Sequence, residues 1–298
     1  MVPWACRLGG TVPAPSTPYL LFSNPDDIRA KADQLVGLVR SGPGTRPLGP
    51  GTWKGWIGPA MLLKAAGTLE SMILLMPARS TVDAMSLLRT LFENTVTFSW
   101  IAIDPGDRVT AWYRTSCYWE LQEHLDWEKA GRGLRTSAEA EELRIQAGSK
   151  SDGLPGVPTM AAKADEHWGA LVPGWSPTSS ASDPGVFSSL RGLYRYIYQR
   201  GSAAAHSRAR GLDLFVTFDG DRVAVHPEKP ASDYHPYALG LYTLAFAIMA
   251  SEQSLAWPSW RQAARILQCE AAVFGSESRD DREGASPDAS SGTSGPRS

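Results

Sequence analysis

The stretch from Ala60 to Ala130 contains only four glycine or proline residues in 71 positions. Because these two residue types interrupt helices, so long a stretch with so few of them predicts several helices packed around a core. The whole chain nevertheless has 28 Gly and 22 Pro among its 298 residues, so the excess must lie elsewhere. We therefore predict a mainly α-helical fold, a single helical-bundle domain, for the part of the chain with few breakers.

The glycine and proline residues concentrate in segments that divide the chain. Residues 1–22 carry four prolines and no periodic pattern, which predicts a loose leader. Residues 41–59 hold six Gly and four Pro, which predicts a linker loop held by its two tryptophans. Residues 275–298 are rich in Ser and Gly and cannot bury enough apolar area to offset their ordering entropy, so we expect a disordered tail. One helical domain then covers residues 23–274.

Capping residues predict where the helices begin and end. The pairs Asn24-Pro25 and Asp104-Pro105 each combine an N-cap with proline at the first helical position. A capping box opens at Thr136. The predicted helices cover about 25–41, 59–76, 79–103, 105–130, 136–146, 159–169, 184–205, 232–256 and 258–274.

One segment has the pattern of strands. Apolar residues alternate on both sides of Asp219-Gly220, a dipeptide that suits a two-residue type I′ turn. This pattern predicts a β-hairpin over about 213–226. Because a single hairpin is marginally stable in water, we expect it to pack on the helices.

Charge, cysteine content and hydropathy exclude several classes of protein. Lys and Arg total 29 against 31 Asp and Glu. The protein therefore has no overall positive electrostatic field that would favour binding of nucleic acid or of an anionic membrane. Three distant cysteines exclude a disulfide scaffold and a cysteine zinc site. The N-terminus has no secretory pattern, and the longest uncharged stretch, 235–251, is shorter than the roughly 20 residues of a membrane span. We expect a cytoplasmic protein with no membrane partner, metal or cofactor.

The motifs of the common enzyme classes do not occur in the sequence. GxxxxGK[ST], GxGxxG after a strand, HExxH, CxxC and GxSxG are all missing, which argues against P-loop, Rossmann, zincin and α/β-hydrolase enzymes. His124 and His167 lie beside acidic residues without metal-ligand spacing. We expect both histidines on a solvated surface.

Two charged residues interrupt an apolar stripe on the helix predicted over 79–103. Arg89 and Glu93 are four residues apart, so they can pair. Charges within an apolar face must be satisfied, which leaves two interpretations: a structural pair, or a polar site that recognises an anion or orients a base. Glu70 and Arg79 could join such a site. The stripe itself consists of Val82, Met85, Phe92, Val96 and Trp100.

A second polar group lies on the tyrosine-rich helix predicted to begin at Asp183-Pro184. At regular helical spacing, Arg195, Gln199, Ser202 and His206 share one face. Histidine is readily poised for proton transfer near neutral pH, but a structural hydrogen bond from His206 to Ser202 is equally consistent with this pattern.

The runs SLLRTLFENTVTFSWIAIDP and YRYIYQRGSAAAHSRARGL resemble an uncharacterised bacterial family of helical proteins, a domain of unknown function. Its members combine an Arg-x-x-x-Glu helix ending in Trp with a Tyr-rich helix ending in Ser-x-x-x-His. The resemblance covers about residues 60–270 and implies no known activity. The matching positions are Arg89, Glu93, Trp100, Tyr194, Tyr198, Ser202 and His206.

The spacing Arg200-x5-His206 is also similar to the Arg-x(4–6)-His motif of the HEPN superfamily, many of whose members are metal-independent ribonucleases. The family usually has a polar residue after the arginine, where this chain has Gly201. The resemblance implies His206 as general acid/base and Arg200 as the group that stabilises phosphate charge. It also implies RNA or a nucleotide as partner, a homodimer, and a defence or toxin role.

Three hypotheses about function follow. The first is a HEPN-like ribonuclease or nucleotide-handling protein. The second is a non-enzymatic helical module that binds a partner protein or small ligand through tryptophan anchors (Trp53, Trp56, Trp168, Trp175, Trp257 and Trp260). The third is an enzyme whose Arg89, Glu93 and His206 share one pocket. The candidate catalytic residues are Arg89, Glu93, Arg200 and His206, and the candidate ligand-binding residues are Arg195, Tyr198 and Ser202.

Overall fold

The computed structural model describes residues 24–42, 53–78, 80–133, 135–148, 153–172, 175, 189–198, 216–219, 222–225 and 234–267. The fold is mainly helical, as predicted. Two five-residue π-helical segments, Trp53–Ile57 and Tyr194–Tyr198, are called the first and second π-turn. The other elements are α1 Pro25–Arg40, α2 Gly58–Leu75, α3 Thr81–Ile103, α4 Pro105–Lys129, α5 Ser137–Ala147, α6 Val157–Gly169, α7 Leu190–Leu193, β1 Val216–Asp219, β2 Arg222–Val225, α8 His235–Leu255 and α9 Trp260–Leu267.

The predicted helix starts are confirmed where capping residues mark them. The side chain of Asn24 accepts a hydrogen bond of 2.9 Å from the backbone N–H of Asp26 at the start of α1. Thr136 and Glu139 form the predicted capping box of α5, in which each side chain bonds the backbone of the other residue. These bonds satisfy N–H groups that lack partners within the helix. Local sequence therefore fixes both starts.

The core is built around α3. This helix packs against α2, α6 and α8, and its largest buried side chains are completely inaccessible to solvent. Because both α3 and α8 are apolar over most of their surface, neither could lie on the outside of a small helical domain. The fully buried side chains of α3 include Leu88, Leu91, Phe92, Phe98 and Ile101.

The uncharged stretch 235–251 lies within α8, which is a core helix as predicted. Among the residues the structure describes, one helical stretch, Trp53–Leu75, is long and apolar enough to cross a membrane. Half of its most apolar 18-residue segment is buried inside the protein, so packing in the core accounts for much of its apolar character.

Helices α4 and α5 pack on each other and enclose a small second cluster. Its buried members are Cys117, Leu121, Leu143 and Ala147. His124 is also buried, with 5 % of its surface exposed. The predicted solvated position of His124 is therefore wrong, because α5 covers the face of α4 on which this histidine lies.

A buried carboxylate joins α6 to α7. Asp165 is completely buried and accepts hydrogen bonds from Trp175 Nε1 at 2.8 Å, the backbone N–H of Leu190 at 2.7 Å and that of Arg191 at 2.9 Å. Burial raises the pKa of the Asp165 carboxyl, although these N–H donors lower it in part. The sequence carries no signal for this role of Asp165, because an acid in a short amphipathic helix ordinarily faces water.

The prediction of one regular helix over 184–205 is wrong. Ser189 has extended backbone (φ −145°, ψ 149°) and caps α7 through a hydrogen bond from the N–H of Gly192 to its side chain. The helical segment therefore begins at Leu190 and passes directly into the second π-turn. Asp183 and Pro184, the predicted start, lie outside the described residues.

The two strands are short and pair antiparallel. Val216 pairs with Val225 and Asp219 pairs with Arg222. How this pair packs against the helices stays a prediction. The predicted leader, residues 43–52 of the predicted 41–59 loop and the tail lie outside the described residues. The loop prediction is wrong for residues 53–59, which are helical and pack Trp53 and Ile57 into the core.

Candidate functional site

Arg89 and Glu93 form an ion pair on α3. Arg89 Nε lies 2.9 Å from Glu93 Oε1. Their side chains are 21 % and 38 % exposed, so the pair lies at the edge of the buried face and not inside it. Burial lowers the pKa of the Arg89 guanidinium, but the hydrogen bond and charge of Glu93 outweigh burial and raise that pKa overall.

The same arginine binds the second π-turn. Arg89 Nη2 donates to Tyr198 Oη at 3.4 Å, and Arg89 Cζ lies 4.6 Å from the centre of the Tyr198 ring. Tyr198 stacks on Tyr194 with ring centres 4.9 Å apart, and Tyr194 packs on Phe92 of α3. Two tyrosines thus hold the second π-turn against α3.

The structure therefore brings together Arg89, Glu93 and Tyr198 from the predicted set. The side chain of Arg195 and all of Arg200, Ser202 and His206 lie outside the described residues, and their roles stay predictions. The predicted common face for these residues assumed regular α-helical spacing. That spacing does not hold across the second π-turn, where hydrogen bonds span five residues.

Glu70 does not join the pair. Its carboxylate accepts two hydrogen bonds from the Arg40 guanidinium, at 2.6 and 3.0 Å, and so ties α2 to α1. Arg79, the other residue considered for this site, lies outside the described residues.

A cleft of about 400 Å³ opens beside Glu93. It lies between α2, α3, α4 and the first π-turn. We call it the Glu93 cleft. Its lining residues are Trp56, Ile57, Ala60, Met61, Lys64, Thr90, Glu93, Asn94, Thr97 and Trp112.

Helix α3 contributes a polar stripe to this cleft. Thr90, Glu93, Asn94 and Thr97 follow the spacing 0, 3, 4 and 7, which places them on one face of a helix. Asn94 Nδ2 donates a 3.0 Å hydrogen bond to the backbone carbonyl of Met61 on α2. This spacing is visible in the sequence, although Glu93 is the only one of the four residues among the predicted site residues.

The other walls supply aromatic rings and a cation. Trp56 in the first π-turn is 46 % exposed, Trp112 on α4 is half-buried, and Lys64 on α2 is exposed. The cleft thus combines ring faces, a carboxylate held by Arg89, a fixed amide and an ammonium group. It can hold a planar ring, accept hydrogen bonds from N–H groups and pair with an anion.

The predicted tryptophan anchors are mostly core residues. Trp53, Trp168, Trp175 and Trp260 are at most 7 % exposed, because they pack among the helices. Trp168 Nε1, for example, donates to the carbonyl of Ser99 at 2.9 Å. Of the six predicted anchors, Trp56 is the strongly exposed one.

Within the described ranges, no three or more His, Cys, Asp or Glu side chains lie close enough together to hold a metal ion.

Comparisons with known proteins agree with the family resemblance. Residues 57–223 match the sequence model of a family described as being of unknown function, DUF5677. This region contains α2, α3, α4 and the second π-turn, and with them the Arg89–Tyr198 contact and every lining residue of the Glu93 cleft except Trp56. No curated protein and no solved structure matches the chain. Because the family match covers more than half of the sequence, the chain belongs to the DUF5677 family.

Proposed function

We propose that this protein binds a nucleotide in the Glu93 cleft. The observation that carries the proposal is the position of Glu93, whose carboxylate is held by Arg89 and lines a cleft between two tryptophans. The volume of about 400 Å³ falls within the roughly 300–1,000 Å³ of small-molecule sites.

The lining residues match the base and the phosphate of a nucleotide. Trp56 and Trp112 offer ring faces on which a base can stack, an interaction worth about 1–3 kcal/mol per base. Glu93 accepts hydrogen bonds from N–H groups at the edge of the base. Lys64 supplies a positive charge for the phosphate. A purely apolar ligand would make no polar contact with the Glu93 carboxylate or the Lys64 ammonium, so it fits less well.

Calorimetric titration with the four nucleoside monophosphates, in EDTA, tests the proposal. We expect at least one of them to bind the wild-type protein, and Glu93→Gln and Trp112→Ala to weaken that binding about tenfold or more. Glu70→Gln is the matched control, because Glu70 also pairs with an arginine but does not line the cleft. Failure of all four ligands to bind, or equal binding by all variants, contradicts the proposal.

A second candidate function is metal-independent cleavage of RNA at Arg200 and His206. One observation favours it: Tyr198, two residues before Arg200 in the chain, is bound to Arg89 beside the Glu93 cleft. In this candidate His206 acts as general acid/base and Arg200 stabilises the developing phosphate charge. The Glu93 cleft would then hold a base of the same RNA.

Cleavage of a labelled RNA in EDTA by wild type and His206→Ala tests this second function. We expect cleavage by the wild type and its loss in the variant, with an unchanged melting temperature. Equal activity, or none in either protein, contradicts the ribonuclease function but leaves nucleotide binding standing. The HEPN resemblance also implies a homodimer. A cytoplasmic location, and packing of the hairpin over 213–226 on the helices, are separate predictions from the sequence.

A further inference from the structure

Helix α4 has two opposite faces. Its inner face packs Cys117, Leu121 and His124 against α5 and is buried. Its outer face exposes two large tryptophans: Trp119 is 65 % exposed and Trp127 is 38 % exposed. Tryptophan is highly buried on average. Packing in the core does not explain why one helix exposes two tryptophan rings.

The two tryptophans follow one line along the outer face. Trp119, Glu123 and Trp127 are four residues apart in turn, so they lie above one another on the helix. We call these three residues the α4 stripe. With Gln122, Asp126 and Ala130 they line a shallow groove of about 520 Å³. By helical rise the tryptophans lie about 12 Å apart along the helix axis.

The charge of this face is negative. Between Trp119 and Trp127 the chain has Glu120, Glu123 and Asp126 but no Lys or Arg. Glu120 pairs with Arg135, and Asp126 pairs with Lys129. Among the ion pairs of the described residues none includes Glu123, which lies in the groove between the two rings.

We propose that the α4 stripe binds a basic segment of a partner protein, with arginine side chains over Trp119 and Trp127 and paired with Glu123. The charges are complementary, and guanidinium groups stack on tryptophan faces. Tryptophan and arginine are also the residues most enriched at the centres of protein interfaces. In an extended segment, residues four apart lie about 13 Å apart on the same side, close to the roughly 12 Å between Trp119 and Trp127 along the helix axis.

The same charges argue against two other occupants. An anionic membrane surface would be repelled by Glu123, whose charge no ion pair among the described residues offsets. A second copy of this chain, placed with its own α4 stripe against this one, would bring like charges together. The proposal is independent of the Glu93 cleft, because none of the three stripe residues lines that cleft.

Fluorescence anisotropy with a labelled peptide tests the proposal. The probe is a twelve-residue threonine peptide with three arginines, each four residues from the next. The same peptide with glutamates in place of the arginines is the charge control. We expect the wild-type protein to bind the arginine peptide and not the glutamate peptide.

Variants of the stripe locate the binding. We expect Trp119→Ala, Trp127→Ala and Glu123→Gln each to weaken binding of the arginine peptide about threefold or more. The matched controls are Glu128→Gln, which removes an exposed acid of the same helix outside the groove, and Leu74→Ala, which removes an exposed apolar side chain of α2. Both should bind as the wild type does. Circular dichroism melting of each variant checks that its fold is intact.

Several results would overturn the proposal. One is that the arginine peptide does not bind, or binds all variants equally. Another is that the glutamate peptide binds equally well. Association of the protein with neutral phosphatidylcholine vesicles, lost in both Trp→Ala variants without any peptide binding, assigns the stripe to a lipid surface instead. Concentration-dependent dimers that these variants abolish assign it to a second copy of the chain.

Discussion

The guanidinium of Arg89 lies 4.6 Å above the ring of Tyr198, a residue 109 positions further along the chain. This contact fastens the second π-turn to α3. Because Arg89 also holds Glu93, one side chain orients both a carboxylate of the Glu93 cleft and the segment that leads to Arg200. The contact therefore links the two sequence motifs that carry the family resemblance.

A double-mutant cycle measures this link. We expect Arg89→Met and Tyr198→Leu to be coupled by about 0.5–1 kcal/mol in the free energy of unfolding, the range of a partly exposed cation–π pair. Urea unfolding of the wild type, both single variants and the double variant gives the coupling. Arg40→Met, which breaks the ion pair with Glu70, is the control and should show no coupling to Tyr198→Leu. A coupling near zero for Arg89 would show that the contact does not stabilise the fold.

Asp165 is expected to be a main determinant of stability. Asp165→Ala removes the acceptor of three N–H groups, and each buried donor left without a partner costs about 1–3 kcal/mol. We therefore expect a loss of about 3 kcal/mol or more in the free energy of unfolding, measured by urea unfolding. The neighbouring exposed Glu166, replaced by Ala, should change it by less than about 0.5 kcal/mol. Equal effects of the two variants would contradict the structural role of Asp165.

The same carboxyl predicts a pH dependence. Burial raises the pKa of Asp165 above its ordinary value of 3.8. Between the pKa of Asp165 in the unfolded state and its raised pKa in the native state, the native state binds more protons. The free energy of unfolding therefore falls as the pH rises through this interval. We expect the wild type to lose stability relative to Asp165→Asn, which cannot ionise, as the pH rises above about 4. The measured quantity is the slope of the difference between the two proteins, from urea unfolding at several pH values. A difference that stays constant, or a slope of the opposite sign, contradicts the raised pKa.

Lys64 should distinguish nucleotides from nucleosides. Because its ammonium group pairs with the phosphate in the proposed complex, Lys64→Ala is expected to weaken binding of a nucleoside monophosphate about tenfold and to leave binding of the nucleoside unchanged. Calorimetric titration with both ligands gives the two affinities. Lys129→Ala, which removes an exposed lysine far along α4 from Trp112, is the control. Equal weakening of both ligands would place Lys64 against the base and not the phosphate.

The fold could be predicted from sequence where a local signal decided the structure. Ile28, Ala32, Leu35, Val36 and Val39 recur at helical spacing in the sequence, and all five are buried on one face of α1. Its N-cap also needs only neighbouring residues. The prediction of a regular helix over 184–205 is wrong because a tertiary contact takes part in setting the start of the helix. Ser189 is extended, and α7 is capped by the Ser189 side chain and by Asp165 from α6. A contact between residues 25 positions apart leaves no local pattern.

In the candidate site, too, some features follow from local sequence and others from tertiary packing. The sequence by itself determined the helical class and the pairing of Arg89 with Glu93, because residues four apart on a helix are neighbours whatever surrounds them. Only the tertiary structure decided that Tyr198 covers Arg89, that Glu70 pairs with Arg40, that His124 is buried, and that Trp56 and Trp112 line the same cleft as Glu93. These outcomes depend on which helix faces pack together. Packing is set by the fit of side chains that are distant in the chain, so no local spacing encodes it.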